Sequence, residues 1–446
     1  MNAYLIKGAA VAAIGGLLFG FDTAVISGTI GDLTNTYHLS RILVGVTVSS
    51  ALLGTILGAL TSVIPGERIG SRDSLRGLAI IYLVSAIGCA FACNWIALIG
   101  FRVVGGLAIG GSSVLGPMYI AEIAPPKKRG WLVGFFQLNV VLGILVAYFS
   151  NYIIGLAHLG ILEWRWMLGV PALPAVVFFA LLFNISQSPR WLAQRGRIDE
   201  ARDVLRRTGD DNFERELDEI VASIQVEHEY QEDRLFSAKN ALPIFLAISI
   251  GMFNQLSGIN AVLYYLNAIF AAAGFGALSA SRQAIAVGLT LLVFTLFGMI
   301  TIDRLGRKTL LLVGSVGTAV CLFAVGAIFK SHRHTSLLLW LLIGYIACFA
   351  FSQGTVIWVY ISEVFPNSIR AKGQSLGSLS HWTMNALIAL LFPVIAGVSG
   401  ADPFFFFASM MVVQFFIVLF IYPETKGLSL EKVHENLRRK TGARDR

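Results

Sequence analysis

The chain has 446 residues, of which 56% are hydrophobic and only 13% charged, with a formal net charge of +8 and a mean hydropathy of +0.73. Soluble domains are about half apolar and about a quarter charged, so this composition excludes a soluble globular protein. The basic excess lies at loop ends rather than in one patch, which argues against a nucleic-acid partner.

About 20 apolar residues, rising about 1.5 Å each, cross a bilayer core of about 30 Å, and a helix satisfies its own backbone hydrogen bonds there. By that measure twelve spans are predicted, over 8–30, 43–65, 74–93, 96–121, 131–152, 165–184, 241–271, 282–302, 309–329, 337–362, 371–396 and 403–422. The first stretch is long and glycine-rich and runs into polar residues, so it reads as span one and not as a cleavable signal. Between spans six and seven the chain turns polar. There Ile198–Thr208 and Phe213–Glu229 mix charges with apolar residues at helical spacing, which predicts short helices. The expected fold is an all-α membrane protein of twelve transmembrane helices in two pseudo-symmetric six-helix bundles. The bundles are 1–186 and 241–422, with a cytoplasmic helical linker over 187–240 and a cytoplasmic tail over 423–446.

Placing both termini in the cytoplasm puts Lys127, Lys128, Arg129, the loop from Arg190, Arg304, Arg307, Lys308, Arg370, Lys372 and the basic tail on one side. Arg41, Arg165, Arg282, Lys330 and Arg333 are left opposite. That asymmetry orients a multi-pass protein of the cell (plasma or inner) membrane. Cys89, Cys93, Cys321 and Cys348 lie in apolar spans without a ligand pattern around them, so they read as small buried residues, with no metal and no cofactor implied. The chain also lacks H-E-x-x-H, G-x-S-x-G and phosphate-cradling motifs, which argues against an enzyme.

The halves repeat one another. Glu122-Ile-Ala-Pro125 through Arg129 ends span four, and Glu363-Val-Phe-Pro366 through Arg370 ends span ten, both reading E-x-x-P-x-x-x-R. Glu67-Arg68-Ile-Gly70-Ser71-Arg72 follows span two as Asp303-Arg304-Leu-Gly306-Arg307-Lys308 follows span eight. A looser match sets Gln187-Ser188-Pro189-Arg190 against Pro423-Glu424-Thr425-Lys426. Three matches in register mean duplication, and two similar bundles with a site between them can rock to expose it to either side. Glu122, Arg129, Glu363 and Arg370 are candidates for a cytoplasmic latch, with Arg68, Arg72, Asp303, Arg304, Arg307, Arg190 and Glu424 as further members. The competing reading is that these charges cap helices and set topology.

Asp22 is the one carboxylate inside an expected span away from its ends. An ionised group there costs roughly 2.5–3.5 kcal/mol on insertion scales, so it needs a cavity and a partner. Arg102, in the opening turns of span four, is the candidate partner. Neutral amides are also concentrated within spans: Gln137, Asn254, Gln255, Asn260 and Asn385, with Trp358 and Trp382 as ring faces. Amides that donate and accept, beside aromatic faces, complement a polyhydroxylated ring. Each amide could equally serve an interhelical hydrogen bond.

These residues resemble the sugar porter family of the major facilitator superfamily, in particular its bacterial xylose and glucose–proton symporters, along nearly the whole chain. The motifs are Gly15–Asp22, Arg102, Pro117–Glu122, Ser188–Leu192, Gln255–Asn260 with Tyr264 and Tyr265, Asp303–Lys308, Ser362–Pro366 and Pro423–Gly427. The resemblance implies alternating-access symport of a monosaccharide with a proton, coupled through Asp22 and Arg102. It also implies sugar contacts from Gln137, Gln255, Asn260, Trp358, Trp382 and Asn385, with Tyr264 and Tyr265 covering the site; Asn254 and His381, which depart from the pattern, are added as candidate contacts, a plain pocket-lining histidine being the alternative for His381. Sugar, proton and lipid bilayer are the implied partners, and the functional unit is expected to be monomeric. A proton-independent facilitator and a polyol or inositol carrier are the alternatives; a sensor is disfavoured by the short tail.

The chain departs from the family pattern in several places. Glu67 stands for Asp or Asn, Ser71 for Arg and Gln187 for Glu at the basic ends. In the expected site Asn254 stands for Gln, Leu291 for a frequent Asn and His381 for a frequent amide.

Overall fold

A computed structural model of the chain describes residues 2–125, 129–208, 212–229, 235–237, 240–365 and 369–426. Every regular element among them is helical. The first half contains α1 (Ala3–Tyr37), α2 (Arg41–Thr61), α3 (Val63–Ile69), α4 (Ser71–Ala90), α5 (Trp95–Ile123), α6 (Arg129–Leu156), α7 (Glu163–Gly169) and α8 (Ala172–Leu181). Next come α9 (Pro189–Gln194), α10 (Ile198–Thr208) and α11 (Phe213–Glu229). The second half contains α12 (Ala241–Leu256), α13 (Ile259–Tyr264), α14 (Leu266–Ala272), α15 (Ala277–Leu305), α16 (Arg307–Ser331), α17 (Leu338–Phe351), α18 (Gln353–Val364), α19 (Arg370–Val398) and α20 (Asp402–Phe420). Twelve of the resulting helical stretches are long and apolar enough to cross a membrane, from Ala3–Tyr37 to Asp402–Phe420. They match the expected spans within a few residues at most ends.

Three stretches expected as continuous are broken. The sixth span bends between α7 and α8 at Pro171, which has no N–H to continue the helix. The seventh breaks between α12 and α13 at Gly258, whose φ of +83° is left-handed and needs glycine. The tenth breaks at Ser352, between α17 and α18.

The chain divides into two compact units, Met1–Asp32 with Ser50–Gln231, and Leu33–Ser49 with Glu232–Arg446. Between helices in lipid the hydrophobic drive is small, and close approach of small residues replaces it. In unit 1 a Cβ at Gly54 or Gly58 of α2 would strike the backbone of Val103 or Leu107 in α5. The reverse holds for Gly106 and Gly110 against Ala51 and Thr55. The α1–α6 crossing is built likewise, Gly20 against Val140 and Gly143 against Leu17. These crossings hold the backbones that carry Asp22 and Arg102. The unit's core gathers Ala12, Leu75, Leu115, Phe136 and Phe178. A satellite core of Leu192, Leu205 and Leu217 joins α9, α10 and α11; α10 and α11 cover the two segments that showed helical spacing.

In unit 2, Leu246, Ile250, Leu310, Val356, Tyr360 and Val418 form the core. The α1–α2 corner belongs to this unit, with Gly45 seated on the Leu390 backbone of α19. The repeat is visible in the backbone: Gly70 before α4 has φ 87° and ψ 156°, and Gly306 before α16 has φ 89° and ψ 158°.

Candidate functional site

In unit 1, Arg102 Nη2 lies 3.9 Å from Asp22 Oδ2, with the arginine side chain 3% exposed and the aspartate side chain 27% exposed. At 3.9 Å the attraction is coulombic rather than a short charge-assisted hydrogen bond. Asp32, which the expected span left outside, lies in α1 as well because the helix runs on to Tyr37. Gln137 is half-buried on α6 of this unit.

The other expected sugar contacts belong to unit 2, and most of them form one network. Asn260 Nδ2 donates to Gln255 Oε1 at 3.0 Å. Gln255 Nε2 donates to Asn254 Oδ1 at 3.1 Å and meets the His381 ring nitrogens at 3.2 and 3.4 Å. Asn254 Nδ2 donates in turn to the Gln353 carbonyl at 3.4 Å. An amide nitrogen only donates, so a hydrogen bond to the imidazole requires an unprotonated ring nitrogen on that side. The break at Gly258 makes the network possible: it turns α13 against α12, so that Asn260 faces back onto Gln255. A side chain on Gly258 would collide with Phe407 of α20.

Aromatic rings border the network. His381 lies between Trp358, at 5.1 Å, and Trp382, edge-on at 5.0 Å. Trp382 is buried and Trp358 is 37% exposed. Asn385 Nδ2 donates to the Tyr264 hydroxyl at 3.1 Å. Tyr265 donates to the Ala389 carbonyl of the same helix at 2.7 Å and stacks on Phe392 at 5.0 Å. Leu291 is buried within α15.

The basic ends of the two repeats are wired differently. In unit 2, Arg307 forms a fork onto Glu363, at 2.8 Å and 3.1 Å, and also holds Asp303 at 2.9 Å. Thr425 Oγ1 donates to Glu363 at 2.6 Å. Glu424 caps α16 by accepting from Arg307 N at 2.9 Å and Lys308 N at 3.1 Å, the arrangement a helix N-terminus favours. Arg304 is exposed, and its carbonyl accepts from Lys426 Nζ at 2.6 Å. Arg370 is half-buried at the start of α19.

In unit 1, Ser71 occupies the Arg307 position, and Glu122 lies near Ser71, Ser188 and Arg190, its Oε2 buried without a hydrogen-bond partner among the described residues. Gln187 donates to the Ile69 carbonyl at 3.0 Å and to Asp73 at 2.8 Å. Asp73 is the hub here, taking Arg72 at 3.0 Å and Arg76 at 2.6 Å. Neither Asp73 nor Arg76 stood out in the sequence, although their spacing of three on one helix is an ion-pair signal. Arg68 is exposed, and its carbonyl accepts from Arg195 at 2.7 Å. Arg129 opens α6, but its side chain, with Lys127, Lys128, Pro366 and the tail beyond Lys426, lies outside the described residues. Ser188 caps α9 by accepting from Trp191 N at 3.3 Å, with Pro189 at the first helical position.

A family model described as "Sugar (and other) transporter" matches residues 8–437. The arabinose-proton symporter of Bacillus subtilis is 36% identical over 431 residues, which cover 95% of this chain and 93% of that protein. The D-xylose-proton symporter of Escherichia coli K12 is 32% identical over 473 residues, covering 97% and 95% respectively. Among solved structures, the inward open conformation of the xylose transporter XylE from E. coli matches with a TM-score of 0.86 at 32% identity, over 97% of this chain and 100% of that one.

Proposed function

The chain belongs to the sugar (and other) transporter family, and from that premise we propose that it carries a pentose or hexose together with one proton by alternating access. As a member of a transporter family it is not an enzyme. The observation that carries the coupling is the loose contact of Asp22 with a buried guanidinium, 3.9 Å away. Protonation of Asp22 removes the charge that holds Arg102, and release of the proton restores it. Burial penalises the carboxylate while Arg102 favours it, so a modest rearrangement shifts the balance between the two forms.

The amide network supports the sugar assignment. Asn254, Gln255, Asn260 and His381 already exchange hydrogen bonds with one another, and an incoming hydroxyl that donates and accepts can replace any of those links at small net cost. Trp358 and Trp382 offer ring faces to the C–H side of a sugar, and Gln137 and Asn385 add further amides. Tyr264 meets α19 at Asn385, and Tyr265 meets it one turn on at Ala389.

The basic span ends favour a cytoplasmic latch and both termini in the cytoplasm, in a cell membrane and with a monomer as the working unit. The test is uptake in proteoliposomes with labelled pentoses, hexoses and polyols, with and without a proton gradient. Saturable uptake that the gradient drives uphill is the expected result. Saturable uptake indifferent to the gradient would make the chain a facilitator, and no saturable flux with any sugar would end the sugar assignment.

A further inference from the structure

The interior of unit 2 holds a second pair of amides that the network above does not use. Gln353, the first residue of α18, and Gln414, in α20, are each 1% exposed. Gln414 stands in a buried stripe of α20 that is otherwise apolar, with Phe407, Met411 and Val418, where helical periodicity favours another hydrocarbon. Gln353 Nε2 donates to Met411 Sδ at 3.1 Å. Met411 and Gln414 are three apart on one helix face, so Gln353 reaches α20 one turn from Gln414. A thioether accepts and cannot donate, which orients Gln353 with its nitrogen on the sulfur and its oxygen turned away. Among the described residues, Gln353 Oε1 and Gln414 Oε1 have no hydrogen-bond partner.

Buried amide oxygens without donors are rare in native interiors. An apolar side chain of similar shape would remove the penalty. Both orphan atoms are acceptors, so their complement is an O–H donor. The pair adjoins the amide network, since Asn254 reaches the Gln353 carbonyl at 3.4 Å. It also adjoins two helix breaks: Ser352 immediately precedes Gln353, and Tyr345 of α17 bonds the Ser257 carbonyl at the α12–α13 break, at 2.9 Å. Broken helices are where backbone can shift to admit a ligand at membrane depth. We propose that Gln353 and Gln414 form an inner subsite of unit 2 that accepts hydroxyl hydrogens from the carried sugar. The subsite rests on the sugar-transport assignment above. A buried water presents the same O–H chemistry, and the test separates the two.

The full chain is reconstituted as wild type, Gln353→Met and Gln414→Met. KM is measured for D-xylose, D-glucose and singly deoxygenated glucoses, and thermal unfolding is followed without sugar. The expected result is a rise in KM of about tenfold for glucose or xylose, the loss of roughly one hydrogen bond. At least one deoxy sugar should show the same KM in variant and wild type, and the unfolding midpoint should stay level or rise. Unchanged KM for every sugar overturns the subsite; accompanied by a lower midpoint, it assigns the amides to a structural water. An equal rise for all sugars, deoxy forms included, marks general distortion and also overturns it. If a methionine variant does not fold, Gln353→Asn and Gln414→Asn, which retract the amide by one methylene, decide by the same criteria. A wild type that carries no sugar sinks the transport assignment and the subsite together; a transporting wild type with indistinguishable variants sinks the subsite alone.

Discussion

Replacing Asp22 with asparagine keeps the shape and a hydrogen-bonding head while removing the charge. At 3.9 Å and an effective dielectric of about 20, the Asp22–Arg102 attraction is about 4 kcal/mol before desolvation is subtracted. Without it Arg102, 3% exposed, stays buried and charged in both halves of the cycle, and no proton can be exchanged for its release. One carboxylate carries one proton. A membrane potential of 100 mV then supplies about 2.3 kcal/mol per cycle, enough for roughly fortyfold accumulation of a neutral sugar. Proteoliposomes with an imposed potential and labelled sugar should approach that ratio for the wild type. For Asp22→Asn the internal and external concentrations should equalise, while counterflow exchange of labelled for unlabelled sugar continues. Persistent exchange shows that the variant is folded and binds sugar. Accumulation clearly above unity in Asp22→Asn would refute the assignment, because the energy would then enter through another group.

Three further outcomes are expected. Gln255→Leu strands Asn260, Asn254 and His381 at once, and sugar KM should rise by at least about tenfold in the same uptake assay, with thermal unfolding confirming the fold. Glu363→Gln leaves Arg307, 8% exposed, without its fork and should cost about 3–5 kcal/mol in unfolding experiments; a loss below about 1 kcal/mol would contradict a structural role for the fork. Gly258→Ala forces a side chain into a left-handed backbone, worth about 1–2 kcal/mol, and into Phe407, so folded yield and sugar binding should both fall.

Much of the fold was legible because lipid imposes a length rule. Twelve apolar runs became twelve spans, and charge among apolar residues at helical spacing marked α10 and α11. Asp22 stood out because a carboxylate in a hydrocarbon run has few explanations, and Arg102 lay in the helix that packs near it. The breaks were harder to read. Leu266 and Ile269 continue the apolar run past Tyr265, so hydropathy joined three helical pieces that the left-handed Gly258 and the turn at Tyr265 separate. Gln353 and Gln414 lie in expected spans as the five named amides do, and passed unnoticed because no motif or neighbouring aromatic marked them; the burial of the completed fold sets them apart. Asp73 was hidden for a related reason. Its partners Arg72 and Arg76 are close in sequence, but Gln187, which ties the loop to it, is more than a hundred positions away.

The paired glycine joints have one more consequence. At Gly306 the link from the following strand of chain to the helix start is an anion, Glu424; at Gly70 the same place is taken by a neutral carboxamide, Gln187. Concentrated salt screens a contact made by a charge more than one made by a neutral amide. A molecule assembled twice from one plan therefore fastens its two glycine joints by different chemistry, a charge at one and a carboxamide leaning on the Asp73 ion pairs at the other.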